Sequence, residues 1–217
     1  SDACDVLEKA EDFDMAVHDL IKKYASEHQR IVFNGNGYSE EWVEEAKRRG
    51  LPNIRTMVDS IPVLTEEKTV HLFEKFSVFT RAELESRAEI QYETYSKAIN
   101  IEARSMIDIA SKHIIPAVLQ YTTALATSIN QIREACTEAN ISVQIELLKE
   151  CSSLLAATKA ALKELTEVTE NASSKEEGRE RAVYIQDVVV PAMEALRRPV
   201  DKLEMLVAKD MWPMPSY

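Results

Sequence analysis

The sequence predicts an all-α chain: short helices, followed by a bundle of long, antiparallel, proline-kinked helices. Three observations carry that prediction. Glycine is scarce, 4 of 217 residues, and turns need residues that reach positive φ. No glycine lies between Gly50 and Gly178. The C-terminal part carries three apolar stripes with alternating steps of four and three, the spacing of helices that bury one face against one another at shallow angles.

The elements follow in order. "DFDMAVHDLIKKYASEHQRI" reads as a helix, because Phe13, Val17, Leu20, Ile21 and Tyr24 share one face. "FNGNG" should end it. "YSEEWVEEAKRRG" is a second, short helix: Ser39 is a good N-cap, Glu40 and Glu41 suit the positive end of the helix dipole, Arg48 and Arg49 the negative end, and Gly50 the cap. "LPNIRTMVDSIPVL" should be irregular, with Pro52 and Pro62 as breakers. A third helix starts at Thr65, and Thr80 with Glu83 forms a capping box for the first long helix.

The first long stripe is Ile114, Val118, Tyr121, Leu125, Ser128, Ile132 and Ala135. The second is Leu147, Cys151, Leu154, Thr158, Ala161, Leu165 and Val168, widened by Leu148, Leu155 and Leu162. The third is Val189, Met193, Leu196, Val200, Leu203 and Val207. "TEANIS" and "TENASSKEEG" should separate them, the latter with Ser174 and Glu177 as a further capping box. Pro116 and Pro191 lie inside apolar runs, where kinks are expected. The tail "MWPMPSY" cannot be helical, and Trp212 is too large and apolar to stay in water, so it should dock. Two parts are expected: residues 1–78, short helices around the "NGNG" turn, and residues 79–217, the bundle with its docked tail.

Composition excludes several functions. A net charge of -11 opposes nucleic acid and anionic membrane, which need Lys and Arg to replace counterions. No apolar run approaches a membrane span, and the acidic N-terminus has no signal-peptide pattern. Three widely spaced cysteines, Cys4, Cys136 and Cys151, form neither a disulfide framework nor a zinc site, and they suit a reducing cytoplasm. Cys136 and Cys151 lie on or near apolar stripes and should be buried as small hydrophobes. The chain starts at Ser1, as a processed protein or a piece of a longer one would.

Candidate chemistry is sparse. The "NGNG" loop lacks the third glycine of a dinucleotide fingerprint, which would stand at Glu40, and the Gly-Lys-Ser/Thr of a Walker loop. Glu40, Glu41, Glu44 and Glu45 place negative charge where phosphate would sit. A turn supplying positive φ is the better reading, with its backbone amides as a contact to a ligand or subunit in second place. Glu67, His71 and Glu74 have a metal-capable spacing, but Lys68 and Lys75 beside them favour a solvated face. His18 with Asp14 and His28 beside Glu27 are pairs that any polar face produces, and His113 has no base–nucleophile pairing, which makes it a boundary histidine. A metal-binding bundle would need inward Glu-x-x-His pairs, where the stripes carry Leu, Ile and Val. No catalytic, cofactor or metal residue is assigned.

"FNGNGYSEEWVEEAKRRGLPNI" resembles the C-terminal part of the type III glutamine synthetases. So does "LTEEKTVHLFEKFSVFTRAELESRAEIQYETYSKAINIEARSMIDIASKHIIPAVLQY", and "LVAKDMWPMPSY" is similar to that family's end. The resemblance runs from about Asp12 to Tyr217, and roughly 122–180 match only in helical character. Tyr38, Ser39, Glu41, Trp42 and Arg49-Gly50-Leu51 are its most specific part. It implies an enzyme that joins ammonia to glutamate at the expense of ATP, through a γ-glutamyl phosphate, with Mg or Mn ions neutralising the phosphoryl group. In that family the metal glutamates, ATP site and substrate arginines come from a β-rich catalytic domain upstream, and the active sites lie between subunits of large rings.

The expectation is therefore a C-terminal helical part of glutamine synthetase, inactive alone, which packs on the catalytic domain of the same polypeptide and helps build a homo-oligomer. Asn34, Asn36, Tyr38, Trp42 and Trp212 are its candidate subunit or domain contacts. Set aside the resemblance, and the chain reads as a free acidic helical module that binds partner helices. The first part, poorer in apolar residues, should be the less stable half.

Overall fold

A computed structural model describes residues 2–215, and every described regular element is helical. The chain divides into two compact units, Ser1–Arg55 and Thr56–Tyr217.

The first unit holds α1 (Asp2–Leu7), α2 (Phe13–Glu27), a 3-10 turn at Gln29–Ile31 and α3 (Glu40–Arg48). Asp12 caps α2 by accepting the Met15 N–H at 3.0 Å. The apolar face of α2 is only partly used: Leu20 is buried, Val17 and Tyr24 half-buried, and Phe13 and Ile21 remain 59% and 63% exposed. Helix α3 ends as its sequence predicts. Gly50 takes φ 67°, the Gly50 N–H donates to the Lys47 carbonyl and the Leu51 N–H to the Ala46 carbonyl, which is the Schellman arrangement.

The second unit begins where irregular chain was expected. Thr56 caps α4 (Met57–Ser60), its Oγ1 accepting the Asp59 N–H at 3.1 Å, and a 3-10 turn follows at Ile61–Thr65. Pro62 does not break this segment because the first turn of a helix needs no N–H from it. Val58 and Ile61 are almost fully buried, in one cluster with Ala88, Tyr92 and Ala182. Helix α5 (Glu67–Lys75) starts two residues later than expected.

Helix α5 stops with the same Schellman pattern as α3, but Ser77 stands in the left-handed position, at φ 54°. Its N–H donates to Glu74, and that of Val78 to Phe73. A side chain there costs about 1–2 kcal/mol that glycine avoids. Ser77→Gly is expected to stabilise the second unit by up to about 1 kcal/mol, after the extra entropy of an unfolded glycine is offset. A urea melt with an unchanged or lowered midpoint would contradict this.

The bundle consists of three rods. The first is α6 (Arg81–Ile109), a π turn at Ala110–Ile114 and α7 (Ile115–Ala135); the second is α8 (Ser142–Ser173); the third is α9 (Arg179–Tyr184), a π turn at Ile185–Val189 and α10 (Val190–Leu206). The Thr80/Glu83 capping box opens α6, and both Thr80 groups donate to Glu83 Oε2 at 2.8 Å, which lowers the Glu83 pKa. Each π turn lies directly before a proline at the second position of the next helix, Pro116 or Pro191. A proline lacks the N–H for an i→i−4 bond, and a widened turn accommodates the gap.

The core is layered along the rods. Ala88, Tyr92 and Ala182 pack at one end; Ala103, Leu162, Leu165, Ile185, Val189 and Leu196 in the middle; Val118, Cys151, Leu203 and Trp212 at the other. That order makes α8 antiparallel to both neighbours, as short connections require. The first stripe drifts toward its end, where Ile129 is buried rather than Ile132, because a straight helix rotates away from a strict seven-residue repeat. Two expectations fail. Cys136 is exposed, since it caps α7 with extended backbone beyond the last packed turn; only Cys151 is buried. The Ser174/Glu177 box does not form: α8 continues through Ser173, the Ser174 hydroxyl donates back to Asn171, and Gly178 precedes α9 at φ 87°.

Candidate functional site

The candidate contact residues in the first unit surround the "NGNG" turn. Asn36 organises it: its Oδ1 accepts the Tyr38 N–H at 3.0 Å and its carbonyl accepts the Ser39 hydroxyl at 2.7 Å. Ser39 in turn accepts the Trp42 N–H at 3.4 Å and caps α3. The glycines do not supply positive φ, contrary to expectation; neither Gly35 nor Gly37 is left-handed. Gly35 is small for another reason, since a Cβ there would lie 2.7 Å from the Phe33 ring. That ring is held against Trp42, with centroids 4.6 Å apart.

Arg49 fastens this arrangement, and sequence reasoning gave it only a helix-dipole role. Its Nη1 donates to the carbonyls of Val32 at 2.6 Å and Arg30 at 3.1 Å, its Nε donates to Glu45 at 2.5 Å, and its guanidinium stands 5.8 Å from the Trp42 ring centre. The fork geometry of arginine allows all of these at once, and lysine could not reproduce them. The sequence signal was an arginine at the end of a short helix, four residues after a glutamate. Asn34, Asn36 and Tyr38 are exposed, Tyr38 fully, and Trp42 is half-buried.

Arg48 and Arg49 both bond Glu45 and hold its carboxyl at about 2, well below the usual carboxylate value of 4.5. A lowered folded pKa gives stability that is present above the unfolded value and lost as pH falls through the folded one. The helicity of α3 is therefore expected to decline between about pH 4.5 and pH 2, and Glu45→Gln should remove that acid-side dependence. An NMR titration in which Glu45 protonates near the ordinary carboxylate value would contradict the reading.

In the second unit Trp212 is buried against Ile114, Val118, Cys151, Leu203 and Val207. Its indole N–H has no hydrogen-bond partner among the described residues. The Glu67, His71, Glu74 spacing does not gather ligands: Glu67 receives two bonds from Arg81 Nη2 at 2.8 Å, and Glu74 accepts the Arg81 N–H. Among the described residues no group of three His, Cys, Asp or Glu side chains is placed to hold a metal ion. No described helix is long and apolar enough to cross a membrane.

A sequence model described as "Glutamine synthetase C-terminal domain" matches residues 16–133, more than half of the chain and including the Asn36 turn, α3 and the start of the bundle. The chain belongs to the glutamine synthetase C-terminal domain family. It is 33% identical over 201 residues to a glutamine synthetase of Butyrivibrio fibrisolvens and 32% identical over 208 residues to one of Bacteroides fragilis. A type-3 glutamine synthetase of Dictyostelium discoideum is 32% identical over 209 residues. These alignments cover 93–94% of this chain but only 28–29% of each relative. The glutamine synthetase match thus extends beyond the family model into α8, where resemblance was weakest in the sequence, and on into α9 and α10.

Proposed function

We propose that this chain is the helical C-terminal part of a type III glutamine synthetase, in which it supports the ligation of ammonia to glutamate without contributing catalytic residues. The observation that carries its role is the exposed apolar surface of the first unit. Only Leu20 and Ala46 are buried there among the described residues, while Phe13, Met15, Ile21, Ile31 and Val32 remain open. A unit with so little core of its own needs a neighbour to cover it. The relatives, more than three times as long, supply one in the catalytic domain of the same polypeptide.

ATP and the Mg or Mn ions belong to that other domain. Glu41, Glu44 and Glu45, which line the groove beside Phe33 with Arg48, would repel the phosphates of ATP at the turn. Asn34, Asn36, Tyr38 and Trp42 form the contact with the catalytic domain or a neighbouring subunit. Trp212 acts indirectly, by fixing the end of the bundle that other subunits meet. The assembly is a homo-oligomer in the cytoplasm.

Two measurements test this. The purified 217-residue chain, given glutamate, ammonia, ATP and Mg²⁺, is expected to show no turnover; measurable synthesis of glutamine would overturn the reading. Hydrogen exchange in the first unit should slow when the chain is joined to the catalytic domain, and equal exchange with and without that domain would count against the contact role.

A further inference from the structure

The second unit contains a cavity of about 90 Å³ between α6, the end of α8 and the start of α9. That is well above the roughly 10–15 Å³ needed to admit a single water. Its inner wall includes Ala172, Ile185 and Ser96. Ser96 is only 6% exposed, and its hydroxyl has no hydrogen-bond partner among the described residues. Two other hydroxyls on α6 are satisfied by their own helix: Thr94 donates to Ile90 and Ser105 to Ile101. Ser96 makes no such bond, and it lines the cavity instead.

The mouth carries two ion pairs, each a glutamate followed four residues later by its cation. Lys97 Nζ donates to Glu93 Oε1 at 2.7 Å, and Arg181 Nη1 donates to Glu177 Oε1 at 3.0 Å. The Arg181 guanidinium is fixed by two further bonds, from Nε and Nη2, to the Lys175 carbonyl. The four charges sum to zero. A simple anion therefore meets two carboxylates with its two cations, and a simple cation meets the reverse. A molecule that carries both charges can meet each sign in register.

We propose that this cavity binds a small zwitterion, of the size and charge of a short-chain α-amino acid. Its ammonium group meets Glu93 and Glu177, its carboxylate meets Lys97 and Arg181, and its side chain reaches inward to the Ser96 hydroxyl. The site stands on unit-two residues alone and is independent of the glutamine synthetase reading.

The test is an NMR titration of the full chain with L-serine, with inorganic phosphate and ethylammonium as single-charge probes. Serine is expected to shift the amides of Ser96, Asn100, Ser173 and Gly178 saturably, and the two controls are not. Ser96→Val should fill the inner wall and abolish the shifts. Lys97→Met, at an exposed position, should weaken serine roughly tenfold without disturbing the fold, so the site stays testable if the valine variant misfolds. The proposal is overturned by no saturable shift up to about 50 mM serine, well above a millimolar Kd. It is equally overturned by phosphate or ethylammonium binding as well as serine, or by both variants binding like wild type.

Discussion

Leu165→Ala is expected to lower the unfolding free energy of the second unit by about 2–5 kcal/mol. Leu165 is 0% exposed and sits in the middle core layer with Leu162, Ile185, Val189 and Leu196. All three rods contribute to this layer: Ala103 from the first, the leucines at 162 and 165 from the second, Ile185, Val189 and Leu196 from the third. Truncating the isobutyl side chain to methyl forfeits the burial of its isopropyl group and leaves a hole that three packed helices close only in part. The upper half of the range is expected, because both π turns border the layer, at Ala110 and at Ile185–Val189. Those turns are set by prolines and cannot easily slide inward. Ile101→Ala, at a residue 65% exposed on α6, is the control and should change stability by no more than about 0.5 kcal/mol. Urea denaturation followed by helical ellipticity reads both. If the two variants melted alike, the three-rod packing would be wrong.

Much of this packing was legible in the sequence, and the reason is periodicity. Leu165, Leu196, Leu203, Val118 and Cys151 all lie on the predicted stripes and are all buried. A stripe repeated over many turns leaves one consistent face. Periodicity was silent where elements are short. The segment from Thr56 to Thr65 spans less than three turns, and its two prolines nearby suggested a loop, yet Val58 and Ile61 are among the most buried residues. Their burial depends on a groove supplied by α6 and α9, which local pattern does not contain. In the other direction, Phe13 and Ile21 share a good helical face that the first unit does not cover. A stripe shows that a surface needs covering; it does not say that the same chain covers it.

The turn around Asn36 was legible in part. Ser39, Gly50 and the acidic first turn of α3 follow from capping chemistry and behave as expected. Arg49 was missed because its partners, the carbonyls of Arg30 and Val32, lie 17–19 residues away and carry no side-chain signature. The glycines were misread for a related reason. Composition says that a glycine is needed, but only the Phe33–Trp42 stack shows that Gly35 answers a close approach rather than a left-handed backbone.

Trp212→Ala is expected to cost about 3–5 kcal/mol and to release the segment after Val207. The indole is 8% exposed and covers the end layer formed by Ile114, Val118, Cys151, Leu203 and Val207. It lies beyond α10 (Val190–Leu206), and the backbone there is held by the Trp212 and Met211 N–H groups donating to Ala208. Without the indole, little else ties that segment down. Trp212→Phe separates the ring from its polar atom. The indole N–H is buried with no acceptor among the described residues, and a buried unpaired donor costs free energy in the folded state. Phenylalanine loses part of the packing but also removes that unsatisfied donor, so its cost should be well under half that of alanine. Denaturation midpoints of the three proteins decide the matter, with Trp42 as the second fluorophore to follow the first unit separately. Equal losses for Phe and Ala would mean that the N–H has a hydrogen bond in solution. No loss for Ala would mean that the tail does not dock, and that the bundle's far layer is closed by something other than this chain.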